Sequence, residues 1–137
     1  MYLEQALAIQ ERSLGPEHQD TAINLVSLGE VLYEQKEYEI ARTYFERALA
    51  IQEKVLGAEH PNVGYSLVCL GLVLDAQEDL DQARQLYDQA LAIFEVRLGP
   101  DHRYTYIVRN NLLALDTNSR TTMPHKLRRI PRRQRLR

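Results

Sequence analysis

Apolar residues recur along this chain at spacings of three and four, which is the period of a helix that turns one face to a core. Two segments carry such a stripe in the same register, TAINLVSLGEVLYEQ at 21–35 and VGYSLVCLGLVLDAQ at 63–77. The stripe residues are Ala22, Leu25, Leu28 and Leu32 in the first segment and Gly64, Leu67, Leu70 and Leu74 in the second. Neither segment shows the apolar–polar alternation of a half-buried strand. The pattern therefore predicts an all-α protein.

A second kind of helical segment occurs three times at an even period. Its copies read YLEQALAIQERSLGPEH at 2–18, YFERALAIQEKVLGAEH at 44–60 and LYDQALAIFEVRLGPDH at 86–102, so each begins 42 residues after the last. The first two copies agree at 12 of 17 positions. A fixed period of this length is typical of an array in which each repeat is one small structural unit. The unit predicted here is a pair of helices.

The end of each copy shows where the long helix stops. Gly15, Gly57 and Gly99 follow the last apolar residue, a place where glycine often ends a helix because it takes a left-handed conformation at little cost. Pro16 and Pro100 come next in two copies and cannot continue a helix. The predicted array covers about 1–116, with helices at about 1–14, 20–35, 37–56, 62–77, 79–98 and 103–115.

Helix pairs this short cannot bury their apolar faces alone, so successive pairs are expected to stack on one another. Two glycines bear on this prediction. Gly29 and Gly71 lie in mid-helix, where glycine costs about 1 kcal/mol relative to alanine. Such a cost is tolerated where a neighbouring helix must approach very closely. We therefore expect a close contact of another helix at each of these glycines.

The helix pairs resemble the tetratricopeptide repeat, with the pattern L-G-x-x-L followed by A-x-x-x-[FY]-x-x-A-L. The pattern is carried by Leu28, Gly29, Leu32, Tyr38, Ala41, Phe45, Ala48 and Leu49 and again by Leu70, Gly71, Leu74, Leu80, Ala83, Tyr87, Ala90 and Leu91. The period exceeds the usual length of about 34 residues and is similar to that of kinesin light chains. The resemblance covers roughly residues 2–115 and implies a right-handed solenoid of about six helices arranged in antiparallel pairs.

Members of this family bind peptides or partner domains in a concave groove lined by the first helix of each pair. By position, the resemblance implies a lining of Ile23, Val26, Glu30, Tyr33, Tyr65, Val68, Leu72, Asp75, Ile107, Asn110 and Ala114. Repeats of the kinesin-light-chain type often carry an Asn-Asn pair here, which this chain keeps only as Asn110-Asn111. A groove lined by valine and acidic residues favours an apolar or amphipathic helix with basic flanks. We therefore expect a protein-interaction module, an adaptor or scaffold.

The net charge of −2 conceals two regions of opposite charge. All 19 acidic residues lie between Glu4 and Asp116, where nine basic residues leave a net charge of −10, and the segment 117–137 carries +8. That segment contains two prolines and few apolar residues, so it is predicted to be disordered. Its basic clusters are Arg128, Arg129, Arg132 and Arg133. They support an alternative function, the binding of nucleic acid or another polyanion, although no aromatic residue is available to stack on bases.

The recurring His18, His60 and His102 are poor candidates for a metal site. Equivalent residues of stacked pairs lie at least one helix-packing distance apart, about 8–10 Å, whereas zinc needs nitrogens at about 2.0–2.1 Å. Their acidic neighbours are duplicated with the loops, unlike the asymmetric groups of a catalytic site. No phosphate-binding loop or nucleophile motif is present. We expect histidines with a structural role in the loops, and no metal, cofactor or enzymatic activity.

The sequence also leads to expectations about location and self-association. Cys69 is the single cysteine, no apolar run approaches the ~18 residues of a membrane span, and no secretion signal begins the chain. A cytoplasmic location is expected. The repeat pattern is incomplete at both ends, where we expect exposed apolar residues: Leu3, Ala6, Leu7 and Leu14 at the first end, and Leu112, Leu113 and Leu115 at the second. A third hypothesis is thus a self-assembling fragment of a longer array.

Overall fold

The computed structural model describes residues 2–13 and 18–116, with the backbone alone for residues 2, 3 and 10–13. Within these ranges it contains six α-helices and no strand, which confirms the predicted all-α class. The helices are α1 Tyr2–Ser13, α2 Gln19–Glu34, α3 Tyr38–Leu56, α4 Pro61–Ala76, α5 Leu80–Arg97 and α6 Arg103–Asp116. The predicted disorder of 117–137 and the basic clusters Arg128, Arg129, Arg132 and Arg133 lie outside the described residues.

Each helix packs mainly against its neighbours in the chain. The largest contacts join α2 to α3 and α4 to α5, which are the two complete pairs. The contact of α3 with α4 joins these pairs, α1 adds to the first pair through α2, and α6 adds to the second through α5. The first helices α2 and α4 also touch each other. This order of contacts is that of a solenoid, as predicted.

The two mid-helix glycines mark the closest approach within each pair. A Cβ atom on Gly29 would lie 2.6 Å from Cε1 of Phe45, and one on Gly71 would lie 2.6 Å from Cε1 of Tyr87. Both aromatic rings belong to the second helix of the pair and are fully buried. The close contact expected at these glycines is confirmed, with an aromatic ring lying where a larger residue would place its side chain.

The recurring histidines cap the first helix of each pair. Nδ1 of His18 accepts a hydrogen bond from the backbone N–H of Asp20 at 3.0 Å, and Nδ1 of His60 accepts one from Asn62 at 3.0 Å. His102 makes the same bond to the N–H of Tyr104 at 3.1 Å. The first N–H groups of a helix have no partner within the helix, so these caps stabilise the starts of α2, α4 and α6.

The turns inside the pairs use left-handed residues that are not glycine. Lys36 after α2 and Glu78 after α4 have φ angles of 64° and 65° and occupy the same position of the repeat. Each is followed by a backbone bond to the preceding helix, from Glu37 N–H to the carbonyl of Leu32 at 2.8 Å and from Asp79 to Leu74 at 2.9 Å. These bonds satisfy carbonyl groups at the helix end, which offsets part of the conformational cost.

The glycines after the long helices differ in detail from the prediction. Gly57 and Gly99 have positive φ angles of 94° and 95°, as expected for a position that favours glycine. The ψ angle of Gly57 is 152°, however, so it lies outside the left-handed helical region. A Cβ atom at either position would meet nothing within 4 Å, so the backbone conformation rather than lack of space requires glycine. Gly15 lies outside the described residues.

Burial at the two ends of the array departs from the expectation. Leu7 is buried because α1 packs on α2. Leu112 and Leu115 are buried because α6 packs on α5. Ala6 is half-buried, Leu3 lies among the residues described by backbone alone, and Leu14 lies outside the described residues. The expectation of exposed apolar ends was therefore wrong for three leucines. It is correct for Leu113, which is 50% exposed.

Candidate functional site

We call the surface provided by α2, α4 and α6, the first helices of successive repeats, the first-helix face. Tyr65 of α4 joins its members. Its hydroxyl donates a hydrogen bond to Oε2 of Glu30 on α2 at 2.7 Å. Its ring lies 5.7 Å, between centroids, from the ring of Tyr104 on α6. One tyrosine thus connects the central helix to both of its neighbours on this face.

The structure divides the predicted lining into accessible and buried residues. On α2, Ile23, Glu30 and Tyr33 are half-buried, and on α6, Ile107 and Asn110 are half-buried. The other predicted residues are buried: Val26, Tyr65, Val68, Leu72, Asp75 and Ala114. The accessible positions therefore form two patches, one on α2 and one on α6. The central helix α4 lies between them in the stack.

The central helix is enclosed by its neighbours. Every residue from Val63 to Asp75 is buried, because α3 and α2 cover α4 from one side and α5 covers it from the other. Even the polar Ser66 has a partner within the array, since its hydroxyl donates to Oε1 of Gln52 on α3 at 2.5 Å. Val68 has an exposure of 0%. All four predicted lining residues of α4 are therefore buried.

The two acidic residues of the predicted lining accept hydrogen bonds from tyrosines of the same chain. Glu30 accepts the hydrogen bond from Tyr65, and Oδ2 of the buried Asp75 accepts one from the hydroxyl of Tyr87 at 3.4 Å. Tyr87 is the ring that packs on Gly71. Asp75 therefore serves the interior of the second pair, and Glu30 is the acidic residue of the predicted lining that a partner can reach.

The asparagine pair on α6 has two different environments. Nδ2 of the half-buried Asn110 donates to the backbone carbonyl of Tyr106 at 2.8 Å, four residues earlier in the same helix. Asn111 is 1% exposed, and neither its nitrogen nor its oxygen has a hydrogen-bond partner. The equivalent residues are Ser27, whose hydroxyl donates to the carbonyl of Ile23 at 3.1 Å, and the buried Cys69. The buried amide of Asn111 therefore carries an uncompensated desolvation cost.

Two exposed apolar residues of α6 lie next to the predicted lining. The sequence analysis missed Tyr106, and it expected Leu113 to be exposed without assigning it to the lining. Tyr106 and Leu113 on α6 are 54% and 50% exposed. The sequence carried a signal for both, because Leu113 occupies the position of Gly29 and Gly71, and Tyr106 occupies that of Gly64. The rings of Phe94 and Tyr87 on α5 pack on Gly64 and Gly71, respectively. On α6 the larger side chains extend outward instead.

The described residues show no grouping suited to a metal ion and no helix that could cross a membrane. No cluster of three or more histidine, cysteine, aspartate or glutamate residues is found within 2–13 and 18–116. In the same ranges, no helix combines the length and the apolar character that a membrane span requires. Each recurring histidine acts as a helix cap in its own loop.

Comparison with known proteins agrees with the architecture. The family model described as tetratricopeptide repeat matches three overlapping segments, 1–54, 20–95 and 63–116, which together cover residues 1–116. A comparison with curated proteins found no match. Repeats of this family form non-catalytic modules and generally mediate protein–protein interaction. On the evidence of the helix pairs, the glycine–aromatic contacts and this match, the chain belongs to the tetratricopeptide repeat family.

Proposed function

We propose that this protein is an adaptor or scaffold module that binds a peptide or helix of a partner protein on the first-helix face, the concave face in the family. The observation that carries the proposal is the pair of accessible patches on α2 and α6, which are separated in the stack by the buried helix α4. An extended or helical segment lying across the stack would contact both patches at once. The proposal includes a cytoplasmic location.

The chemistry of the patches supports a partner segment with both apolar and basic residues. Ile23 and Tyr33 offer apolar and aromatic surface, and Glu30 offers a carboxylate between them on the same helix. Ile107 and Asn110 offer one apolar side chain and one amide on α6. Apolar contact at the centre of an interface provides most of the binding free energy, and charge at the edge orients the partner. We propose an amphipathic helix with flanking lysine or arginine.

The proposal can be tested by selecting phage-displayed peptides on the whole chain and measuring their affinity for variants. Ile23→Glu and Ile107→Glu place a charge on each patch, and we expect each to weaken binding at least about tenfold, or about 1.4 kcal/mol. Val96→Glu is the matched control, because Val96 is 81% exposed on the second helix α5, away from the face. Val68→Glu is unsuitable, because it would bury a charge and unfold the array.

Two outcomes decide the test once circular dichroism has shown that the variants are folded. Loss of affinity in both patch variants with unchanged affinity in Val96→Glu supports binding on the first-helix face. Peptides that bind all three variants as tightly as the original chain contradict it. Selected sequences rich in acidic rather than basic residues would contradict the proposed charge of the partner.

A second proposal concerns the basic segment. We propose that 117–137, with a charge of +8, binds polyanions such as phosphate-rich nucleic acid through counterion release. Affinity for heparin or single-stranded DNA should then fall steeply with salt and disappear when residues 117–137 are deleted. Unchanged affinity in the deletion variant at low salt would contradict this second proposal and leave the first untouched.

A further inference from the structure

The three histidine caps have a property that goes beyond peptide binding, because the atom that makes each cap is also an atom that takes up a proton. Nδ1 of His18, His60 and His102 accepts a backbone N–H. An imidazole nitrogen can accept a hydrogen bond only while it carries no proton. Each cap therefore requires a neutral imidazole with its proton on Nε2. Protonation converts the acceptor into a donor that faces another donor.

The position of each cap increases the cost of protonation. The start of a helix carries a partial positive charge from the aligned peptide dipoles, and a cationic imidazole there is unfavourable. In the unfolded chain the same imidazole takes up its proton without either cost. Imidazole is also the side chain whose ordinary pKa, about 6.5, lies nearest to physiological pH. Mild acidification is therefore expected to weaken a helix cap of this kind.

The charged and aromatic groups that surround the three histidines differ from one cap to the next. Burial lowers the pKa of His60 from its ordinary value of 6.5, and the Arg97 guanidinium at the end of α5 lowers it further. Arg97 itself lies 3.6 Å from the carboxylate of Glu59. His18 has the carboxylate of Asp20 at 3.9 Å. His102 has the ring of Tyr104 edge-on at 5.1 Å, with Asp101 and Arg103 beside it in the chain.

We propose that the three imidazole caps make the array sensitive to mild acidification, since neutral imidazole secures the starts of α2, α4 and α6 and its protonation releases them. Because these are the helices of the first-helix face, loosening their starts disturbs the proposed binding surface as well as the fold. The direction for His60 follows from its lowered pKa. Its stabilising contribution is fully present above about pH 6.5 and is lost as the pH falls through the lower pKa of the folded state.

The experiment compares the whole chain with a triple variant, His18→Asn, His60→Asn and His102→Asn. Asparagine is a good capping residue and does not titrate, so the caps are kept without the proton switch. Urea midpoints are measured at about pH 7.5 and about pH 5.5, above the range in which carboxylates titrate. The fourth histidine, His125, is present in both proteins, so its contribution cancels in the comparison.

Acidification should lower the urea midpoint of the original chain, and at least half of that decrease should disappear in the triple variant. The single variant His60→Asn should also reduce the pH dependence, because burial and Arg97 both disfavour a proton on His60. An equal decrease in the original chain and the triple variant would overturn the proposal. If the triple variant does not fold, imidazole ¹⁵N shifts of the original chain decide: neutral rings protonated on Nε2 support the proposal, and rings protonated on Nδ1 at neutral pH refute it.

Discussion

Helices α4 and α6 occupy the same place in successive repeats, but one is enclosed and the other closes the described array. Every residue of α4 from Val63 to Asp75 is buried, and its glycine at position 71 receives the ring of Tyr87. On α6 the equivalent position is Leu113, half exposed. The comparison shows that burial in a solenoid depends on having neighbours on both sides, even for helices in the same register.

Helix α6 carries charged residues at two positions where α2 and α4 have leucine. Arg109 stands where the earlier first helices have Leu25 and Leu67, and its guanidinium lies 3.1 Å from the carboxylate of Glu95 on α5. Asp116, where Leu32 and Leu74 stand in the earlier repeats, lies 2.5 Å from Arg84 of α5. On α6, ion pairs with α5 thus take the place of the apolar contacts that α2 and α4 make with the second helix of their own pairs.

The largest effect is expected from filling the glycine position of α4. Gly71→Val places a branched side chain within 3 Å of the Tyr87 ring, which is fully buried and has little room to move. We expect a loss of about 1–3 kcal/mol in the free energy of unfolding, as for other overpacked cores. The matched control is Leu113→Val on α6, which should change stability by no more than about 0.5 kcal/mol. Equal losses in urea denaturation would show that the two positions do not differ in enclosure.

Exchanging the residues at the equivalent positions 69 of α4 and 111 of α6 tests the cost of the buried Asn111 amide, which has no hydrogen-bond partner. Asn111→Cys gives α6 the residue of α4, removes the buried amide that has no partner, and should stabilise the protein by about 1 kcal/mol. Cys69→Asn introduces such an amide into the fully enclosed helix and should cost about 1–3 kcal/mol. Urea denaturation measures both changes. A destabilised Asn111→Cys variant would mean that the amide of Asn111 makes a favourable contact in solution.

The smallest effect is expected at the ion pairs between α5 and α6. Both members of the Arg84–Asp116 pair are substantially exposed, so water and salt screen the interaction. A double-mutant cycle with Arg84→Ala and Asp116→Ala should give a coupling energy of about 0.2–1 kcal/mol. That coupling should shrink in about 1 M salt. A coupling that is both larger and independent of salt would indicate a buried interaction.

Much of the fold could be predicted from the sequence because the apolar stripes and the glycines recur at matched positions in successive repeats. The spacing of the apolar residues and the glycines at the helix ends predicted the six helices. The cost of glycine inside a helix predicted the contacts at Gly29 and Gly71. The capping role of the histidines did not follow, because it depends on backbone directions in the loop. The left-handed Lys36 and Glu78 escaped prediction because neither position carries the glycine that usually marks such a turn.

For the candidate site, the sequence supplied a proposed set of residues on the first helices but not their accessibility. Family geometry placed residues on the first helices, and it treated α2, α4 and α6 alike. Enclosure of α4 depends on the neighbours around it, and the sequence did carry a sign of it, since no charged residue occurs from Val63 to Leu74. A helix apolar on all sides is typical of burial on all sides. That observation would have limited the accessible positions to α2 and α6.

The most direct test of the stacking account is native-state hydrogen exchange of backbone amides in α4 and α6. Amides in the middle of α4 should exchange only through openings close to global unfolding, because both neighbouring layers must separate first. Amides in the middle of α6 should exchange through smaller openings, with protection lower by at least about tenfold. Equal protection of the two helices, or greater protection of α6, would contradict the claim that neighbours on both sides hold the central helix in place.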